Sequence, residues 1–240
     1  MFDGLYLYEV VLMVLGVVLF LVLVIGFFYQ LTHKRGIAPL LAFFTMPVLM
    51  IAYPSVKSFQ VSGSAVTVET KEQALQANPT DQNARKALQD QVATLSDRPI
   101  KDPATLTSLA KAQFSLGDEP QASENLKKAL AINPGLPAAQ QLQAKITTLE
   151  KLDQVAKKVE SNPNDTQARA DLIRTENAAA KFDLANPAAI NKLAHAQLVL
   201  GDHDNAAKNN ATALKIDPQS ASAKQLQTRI FLSKPVAGPH

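Results

Sequence analysis

Residues 102–118 read DPATLTSLAKAQFSLGD, and residues 186–202 read NPAAINKLAHAQLVLGD. The two stretches are related by an offset of 84 residues. The similarity extends in both directions, because Asn78-Pro79-Thr80-Asp81 returns as Asn162-Pro163-Asn164-Asp165 and Asn133-Pro134 returns as Asp217-Pro218. A duplication of this period, built from helix-forming residues, predicts an array of α-helical repeats.

Helix boundaries are marked by capping residues at the same positions in both copies. Asp102-Pro103 and Asn186-Pro187 each combine a good N-cap with Pro at the first helical position. Gly117 and Gly201 are suited to the left-handed conformation that ends a helix. Further N-caps are expected at four positions: Asp81, Asp165, Asp118 and Asp202. The pattern therefore predicts pairs of helices joined by short turns.

The spacing of small and large residues within each copy resembles the tetratricopeptide repeat family. In the first copy the family positions are Leu106, Leu109-Ala110, Gln113, Gly117, Ala122, Leu126, Ala129-Leu130 and Pro134. In the second copy they are Ile190, Leu193-Ala194, Gln197, Gly201, Ala206, Asn210, Ala213-Leu214 and Pro218. The chain departs from the family pattern at Gln113, Gln197 and Asn210, where a large apolar or aromatic residue is usual. The resemblance implies an α-solenoid that binds other proteins through a concave groove.

The remaining segments of each copy also predict helices. Pro137 to Leu149, Leu152 to Ser161 and Ser220 to Phe231 each predict one more helix, for about nine helices beyond position 70, stacked as a short right-handed solenoid. We expect a first module at 71–150, a second at 151–233 and a tail at 234–240.

The N-terminal part of the chain is apolar and predicts a membrane anchor. Val10 to Tyr29 contains no charge and is long enough to span a bilayer. A cleaved signal peptide is the alternative, but the run is too long for a signal sequence and its start is acidic, with Asp3 and Glu9. The sequence therefore favours a retained transmembrane helix over about 10–29.

A second apolar run, Ile37 to Tyr53, predicts either a full span or a re-entrant segment, and a full span is favoured. Pro47 is expected to kink this helix and Pro54 to end it. Residues 1–54 would then form a two-helix transmembrane hairpin. Lys34 and Arg35 in the connection place that loop in the cytoplasm by the positive-inside rule.

Residues 55–70 predict a juxtamembrane β-hairpin or an extended linker. Alternating residues flank a turn signal at Ser62-Gly63-Ser64. The expected fold class is therefore all-α, a transmembrane hairpin followed by a tetratricopeptide-like solenoid, with a short β-hairpin between them as an option.

Composition and motifs argue against catalysis and nucleic-acid binding. The chain has no cysteine and four histidines, and it contains no P-loop, nucleophile motif or spaced metal-ligand cluster. From position 70 onward the chain contains 21 Lys and Arg and 18 Asp and Glu, so it lacks the basic excess of a nucleic-acid-binding surface. We expect no catalytic residue, no cofactor, no metal and no nucleic-acid partner.

The family resemblance places four polar residues on the concave surface. His195 falls at a position that usually faces the groove in such repeats, its counterpart is Lys111, and Asn191 and Thr107 lie one turn earlier. This set would hold a peptide backbone or a carboxylate, unless its members are ordinary solvated surface residues.

The leading functional hypothesis is a scaffold or adaptor in a bacterial inner membrane, which presents the array to partner proteins in the periplasm. One alternative is an accessory subunit of a larger respiratory or oxidase-type membrane complex, with the apolar helices packed between other transmembrane subunits. Another is a periplasmic assembly factor for exported proteins or c-type cytochromes. A homo-oligomer through the apolar helices stays open.

Overall fold

A computed structural model describes residues 6–32 and 43–233, with side chains throughout except at 30–31, 54–62 and 64. Within these ranges the chain is helical and contains no strand. The helices are α1 (Leu7–Thr32), α2 (Thr45–Ala77), α3 (Gln82–Ser96), α4 (Pro103–Leu116), α5 (Glu119–Ile132), α6 (Pro137–Ser161), α7 (Thr166–Ala179), α8 (Pro187–Leu200), α9 (His203–Ile216) and α10 (Ala221–Ser233).

Helix α1 is long and apolar enough to cross a membrane. Its stretch Leu7–Tyr29 has a mean hydropathy of 3.3, and most of it is uncovered by the rest of the protein. Gly16 gives α1 its close approach to α2, because a Cβ there would lie 3.0 Å from side-chain atoms of Met50 and Ile51. The ring of Phe20 meets that of Phe44 edge to face at 5.6 Å. The two helices therefore run antiparallel along the first turns of α2.

The helical hydrogen-bond pattern is interrupted at Phe44, between helical Phe43 and the start of α2 at Thr45, although Phe44 keeps helical dihedral angles of φ −66° and ψ −22°. Pro47 cannot donate a hydrogen bond to the carbonyl of Phe43, which accounts for the interruption at this place. The sequence predicts that Pro54 ends the helix. This prediction is wrong, because α2 continues through Pro54 to Ala77. Residues 37–42 and the connection with Lys34 and Arg35 lie outside the described residues.

The prediction of a β-hairpin or extended linker at 55–70 is wrong, because this segment is the middle of α2. Val68 and Leu75 are fully buried and lie seven residues apart, on one face of a helix. Their counterparts 84 residues later, Leu152 and Val159, are buried in α6. The burial of this stripe outweighs the turn preference of the Ser-Gly-Ser triplet, and Gly63 has open space around it.

The array is a sequential stack in which each helix packs mainly on its next and second-next neighbours. Such a contact pattern is typical of a solenoid. The predicted caps are confirmed: the side chains of Asp81, Asp102, Asp118, Asp165, Asn186 and Asp202 all accept backbone N–H groups at helix starts. Gly117 and Gly201 have φ values of 99° and 88° and end α4 and α8.

Helix α6 is continuous over 25 residues, so the prediction of two separate helices at 137–149 and 152–161 is wrong. Glu150-Lys151 contains no helix breaker, and Leu149 and Leu152 are both buried in the same core. Because α6 ends the first module and begins the second, the two modules share one helix.

Two polar residues between paired helices, Gln113 and Gln197, are hydrogen-bonded to the facing helix. Asn125 Nδ2 donates to Gln113 Oε1 at 2.8 Å between α5 and α4. Asn209 Nδ2 donates to Gln197 Oε1 at 2.8 Å in the second copy. Both buried glutamines thus have a partner on the facing helix, which offsets the cost of their desolvation.

The start of α1 is fastened to the array at the connection after α3. Tyr6 donates its hydroxyl to the carbonyl of Asp97, and Arg98 lies 5.7 Å from the centre of the Tyr6 ring. Arg98 also lies 3.9 Å from the carboxylate of the fully buried Glu9. The apolar helix and the array are therefore joined at two places, through α2 and through this contact.

Candidate partner-binding grooves

Two concave grooves lie on the array, one in each module, and the same duplication that builds the helices builds the grooves. We call them groove 1 and groove 2. Groove 1 is a cavity of about 500 Å³ walled by α2 and α6 with α4 as its floor, and groove 2 is a cavity of about 340 Å³ walled by α6 and α10 with α8 as its floor. The pairs of lining residues related by 84 positions are Glu69 and Asp153, Gln73 and Lys157, Gln76 and Glu160, Lys111 and His195, Gln141 and Gln225, Leu142 and Leu226, and Lys145 and Arg229.

In groove 1 a buried carboxylate lies at the base. Glu72 accepts a hydrogen bond from Ser115 Oγ at 2.8 Å and another from Gln76 Nε2. Burial raises the pKa of Glu72, and these hydrogen bonds and the charges of Lys111 and Lys145 oppose that rise without cancelling it. Lys111 is half-buried beside this carboxylate and makes no hydrogen bond within the described residues.

Lys145 covers one side of groove 1, between two aromatic rings. Its ammonium lies 5.9 Å from the centre of the Phe114 ring and 5.6 Å from that of Phe182, and it donates to the carbonyl of Asp183 at 2.7 Å. Burial lowers the pKa of Lys145, and the positive charge of Lys111 adds to that effect. This face of groove 1 is therefore cationic and partly desolvated.

In groove 2 the carboxylate of Glu160 lies between two basic groups. His195 Nε2 is 3.1 Å from one oxygen, and Arg229 donates to the other. Partial burial by itself would raise the pKa of Glu160, but the hydrogen bonds and charges of His195 and Arg229 outweigh it, so the pKa is lowered. Asp153 and Lys157 form an ion pair at 2.6 Å on the rim.

The two grooves have similar charged groups at matched positions. Each contains two basic groups, Lys111 with Lys145 and His195 with Arg229, close to a carboxylate, which is Glu72 in groove 1 and Glu160 in groove 2. The carboxylate of groove 2 lies one helical turn further along its helix than that of groove 1, because Glu160 is the counterpart of Gln76 and not of Glu72. A surface with amides, both charges and apolar side chains is suited to hydrogen-bonding an extended peptide and its side chains. No group of three or more His, Asp and Glu side chains among the described residues is arranged to hold a metal ion.

The structure separates the residues expected in one groove. Lys111 lines groove 1, whereas Asn191 and His195 line groove 2. Thr107 is in neither, because it is 2% exposed and its hydroxyl donates to the carbonyl of Pro103 at 2.7 Å. Its assignment to the binding surface is therefore wrong: the inward face of α4 at this turn is packed.

Sequence reasoning missed the residues of one wall in each groove: Lys145 and Gln141 on α6 in groove 1, and their counterparts Arg229 and Gln225 on α10 in groove 2. The signal for them was present, since each pair repeats at the same 84-residue offset as the helix caps.

Comparison with protein-family models finds none that matches the chain. Comparison with curated proteins finds no match either.

Proposed function

We propose that the chain is a membrane-anchored scaffold whose tetratricopeptide-like array holds a segment of a partner protein in grooves 1 and 2. The observation that carries this proposal is the repetition of the groove-lining side chains at the offset of the helical duplication. Polar side chains of an ordinary solvated surface would not be expected to line a cavity at matched positions in both copies. The resemblance of the 102–134 and 186–218 stretches to tetratricopeptide repeats supports the same function.

The proposed anchor is a transmembrane hairpin of α1 and the apolar run that leads into α2. Large apolar side chains that are more than half exposed support it, among them Val18 and Ile25 of α1 and Met46 and Leu49 of α2. Lys34 and Arg35 between the two apolar segments favour a cytoplasmic connection. The array then lies outside the cytoplasmic membrane, in the periplasm of a bacterial cell.

Groove 1 would be held at a fixed height above the bilayer. One uninterrupted helix leads from Tyr53, at the end of the apolar run, to Glu72 at the groove base. That length of helix rises about 28 Å. The contact of Tyr6 and Glu9 with the connection after α3 opposes tilting of this helix. The scaffold would therefore present its partner at a set distance from the membrane.

The test is purification of the tagged chain from its native membranes in mild detergent, with quantitative mass spectrometry of the proteins that remain bound. The double variant Lys111→Ala/His195→Ala removes one basic group from each groove. The matched control is Lys128→Ala, whose half-exposed ammonium pairs with Glu124 on α5, away from both grooves.

We expect the groove variant to lose a set of proteins that wild type and Lys128→Ala both retain. If a fixed-ratio set of membrane subunits is retained by all three, the chain is an accessory subunit docked through its apolar helices. If no protein is retained by any of them, the scaffold proposal fails.

A further inference from the structure

The connection between α7 and α8 fills a socket at the open end of the first module. Arg85 of α3 is 7% exposed, and its Nη2 donates to the carbonyl of Ala185 at 2.7 Å. Ala185 is itself buried and packs with Leu75 and Leu88 in the core of the first module. We call this place socket 1; its occupant is the segment from Phe182 to Asn186.

The same segment makes two further contacts with the first module. Phe182 lies over the ammonium of Lys145, and the carbonyl of Asp183 accepts from that ammonium. Asn186 covers Gly117, because a Cβ on that glycine would lie 3.9 Å from Asn186 Oδ1. An extended segment with an aromatic residue and two accepting carbonyls thus completes socket 1.

The second module repeats this socket, and no described residue occupies it. Arg169, the counterpart of Arg85, is exposed, and its one hydrogen bond among the described residues is to the carbonyl of Leu200 at 3.3 Å. A Cβ on Gly201, the counterpart of Gly117, would meet nothing within 4 Å. The side chain of Arg229, the counterpart of Lys145, is 49% exposed.

What lies at this place is a cavity of about 280 Å³, which we call socket 2. It is lined by the apolar residues Val159, Pro163, Leu198 and Val199 and by the polar residues Glu160, Arg169, Arg229 and Ser233. Its walls therefore combine apolar side chains with two guanidinium groups, and Arg229 donates to the carboxylate of Glu160.

We propose that socket 2 binds an extended segment of a partner protein, with an aromatic side chain over Arg229 and a backbone carbonyl that accepts from Arg169. The occupant of socket 1 defines this chemistry: an aromatic residue, then an aliphatic and a small residue, with carbonyls facing the basic groups. Guanidinium groups are suited to both tasks, since they donate in a fixed fork and stack on aromatic faces.

Two segments of this sequence do not suit socket 2. Residues 234–240 read KPVAGPH and contain no Phe, Tyr or Trp to lie over Arg229. In a second copy, the segment from Phe182 to Asn186 already occupies its own socket 1. Socket 2 shares Glu160 and Arg229 with groove 2, whereas Arg169 lines socket 2 alone, so substitution of Arg169 tests this proposal separately from binding in the grooves.

The experiment uses as its probe a fluorescein-labelled peptide with the sequence of residues 180–187, AKFDLANP, and the purified full-length chain in detergent micelles. Fluorescence anisotropy should show saturable binding with a dissociation constant on the order of 0.1–1 mM, as suits a short unconstrained segment. Arg169→Ala should weaken it by about tenfold or more. The control Arg174→Ala, on the same helix and paired with Asp171, should leave the dissociation constant unchanged.

A peptide with Ala in place of its Phe should also bind at least about threefold more weakly. The proposal is overturned if the peptide shows no saturable binding. It is also overturned if Arg169→Ala binds the peptide as tightly as the wild type and has an unchanged circular dichroism spectrum. Binding that appears only after removal of residues 234–240 would show that the chain end fills socket 2. Self-association that Arg169→Ala abolishes, measured by light scattering, would assign the socket to a second copy; either outcome overturns the partner assignment.

Discussion

Asn210 of α9 is a buried polar residue whose replacement should stabilise the array. It is 2% exposed, and its Oδ1 has no hydrogen-bond partner in the part of the chain that the structure describes. Its counterpart in the first copy, Leu126, is 5% exposed and packs in the core with Ala110 and Ala122. The corresponding alanines of the second copy, Ala194 and Ala206, are also buried. The surroundings of Asn210 therefore resemble a site that already accepts leucine.

The magnitude of the Asn210→Leu effect follows from two gains and one loss. Removing an unpaired buried acceptor is worth about 1–3 kcal/mol, and burying the leucine side chain about 1.5–3 kcal/mol. Strain from the larger side chain costs about 1–3 kcal/mol. The free energy of unfolding should therefore rise by about 2 kcal/mol, which raises the Tm by about 4–8 °C for an array of this size.

Thermal unfolding followed by circular dichroism at 222 nm, in one detergent throughout, measures this shift. The reverse exchange in the first copy, Leu126→Asn, is the matched control and should lower the Tm, since it buries an unpaired amide and loses apolar contact. An unchanged or lower Tm for Asn210→Leu would refute the equivalence of the two sites.

Four further results are expected from the same unfolding assay. Asn125→Ala leaves the buried Gln113 carbonyl unpaired and should cost about 1–3 kcal/mol. The pKa of Glu72 is raised in the folded state, so its contribution to stability is complete below the unfolded pKa and is lost as the pH rises through the folded pKa. At pH 8 the ionised carboxylate is therefore unfavourable in its buried position, and Glu72→Gln should raise the Tm. Near pH 4 the carboxyl group is protonated, and the same substitution should have no effect. Glu160 has a lowered pKa and the opposite sign, so Glu160→Gln should lower the Tm at pH 7, by an amount that shrinks as the pH falls through the folded pKa. Gly63 lies inside a helix and has open space around it, so Gly63→Ala should raise the free energy of unfolding by about 0.5–1 kcal/mol. If Gly63 were in a hairpin turn, the same substitution would lower the stability.

The sequence predicts the array well because its signals are local. Caps such as Asp102 and Asn186 act on the next three residues, and Gly117 acts on the turn that it forms. These contacts do not depend on the rest of the fold. The prediction failed at 55–70, where Ser62-Gly63-Ser64 is a local turn signal that burial of Val68 and Leu75 overrides. Comparison of this segment with α6 at the 84-residue offset would have predicted the helix.

The grooves were predicted only in part because they combine side chains from three helices. Lys111 and His195 were found from their position within one repeat. Lys145 and Arg229 belong to the next helix along, and their approach to the cavity depends on how the helices stack. The burial of Thr107 depends on the same stacking, which composition and spacing do not encode.

The most direct test of the scaffold proposal is photo-crosslinking of the full-length chain in native membranes. A photoreactive residue is placed at Gln141 in groove 1, at its counterpart Gln225 in groove 2, and at Lys128 as a control away from both. We predict crosslinks to the same partner protein from both groove positions and none from position 128. Crosslinks from position 128 alone, or none from either groove position, would contradict the conclusion that the duplicated grooves hold a partner.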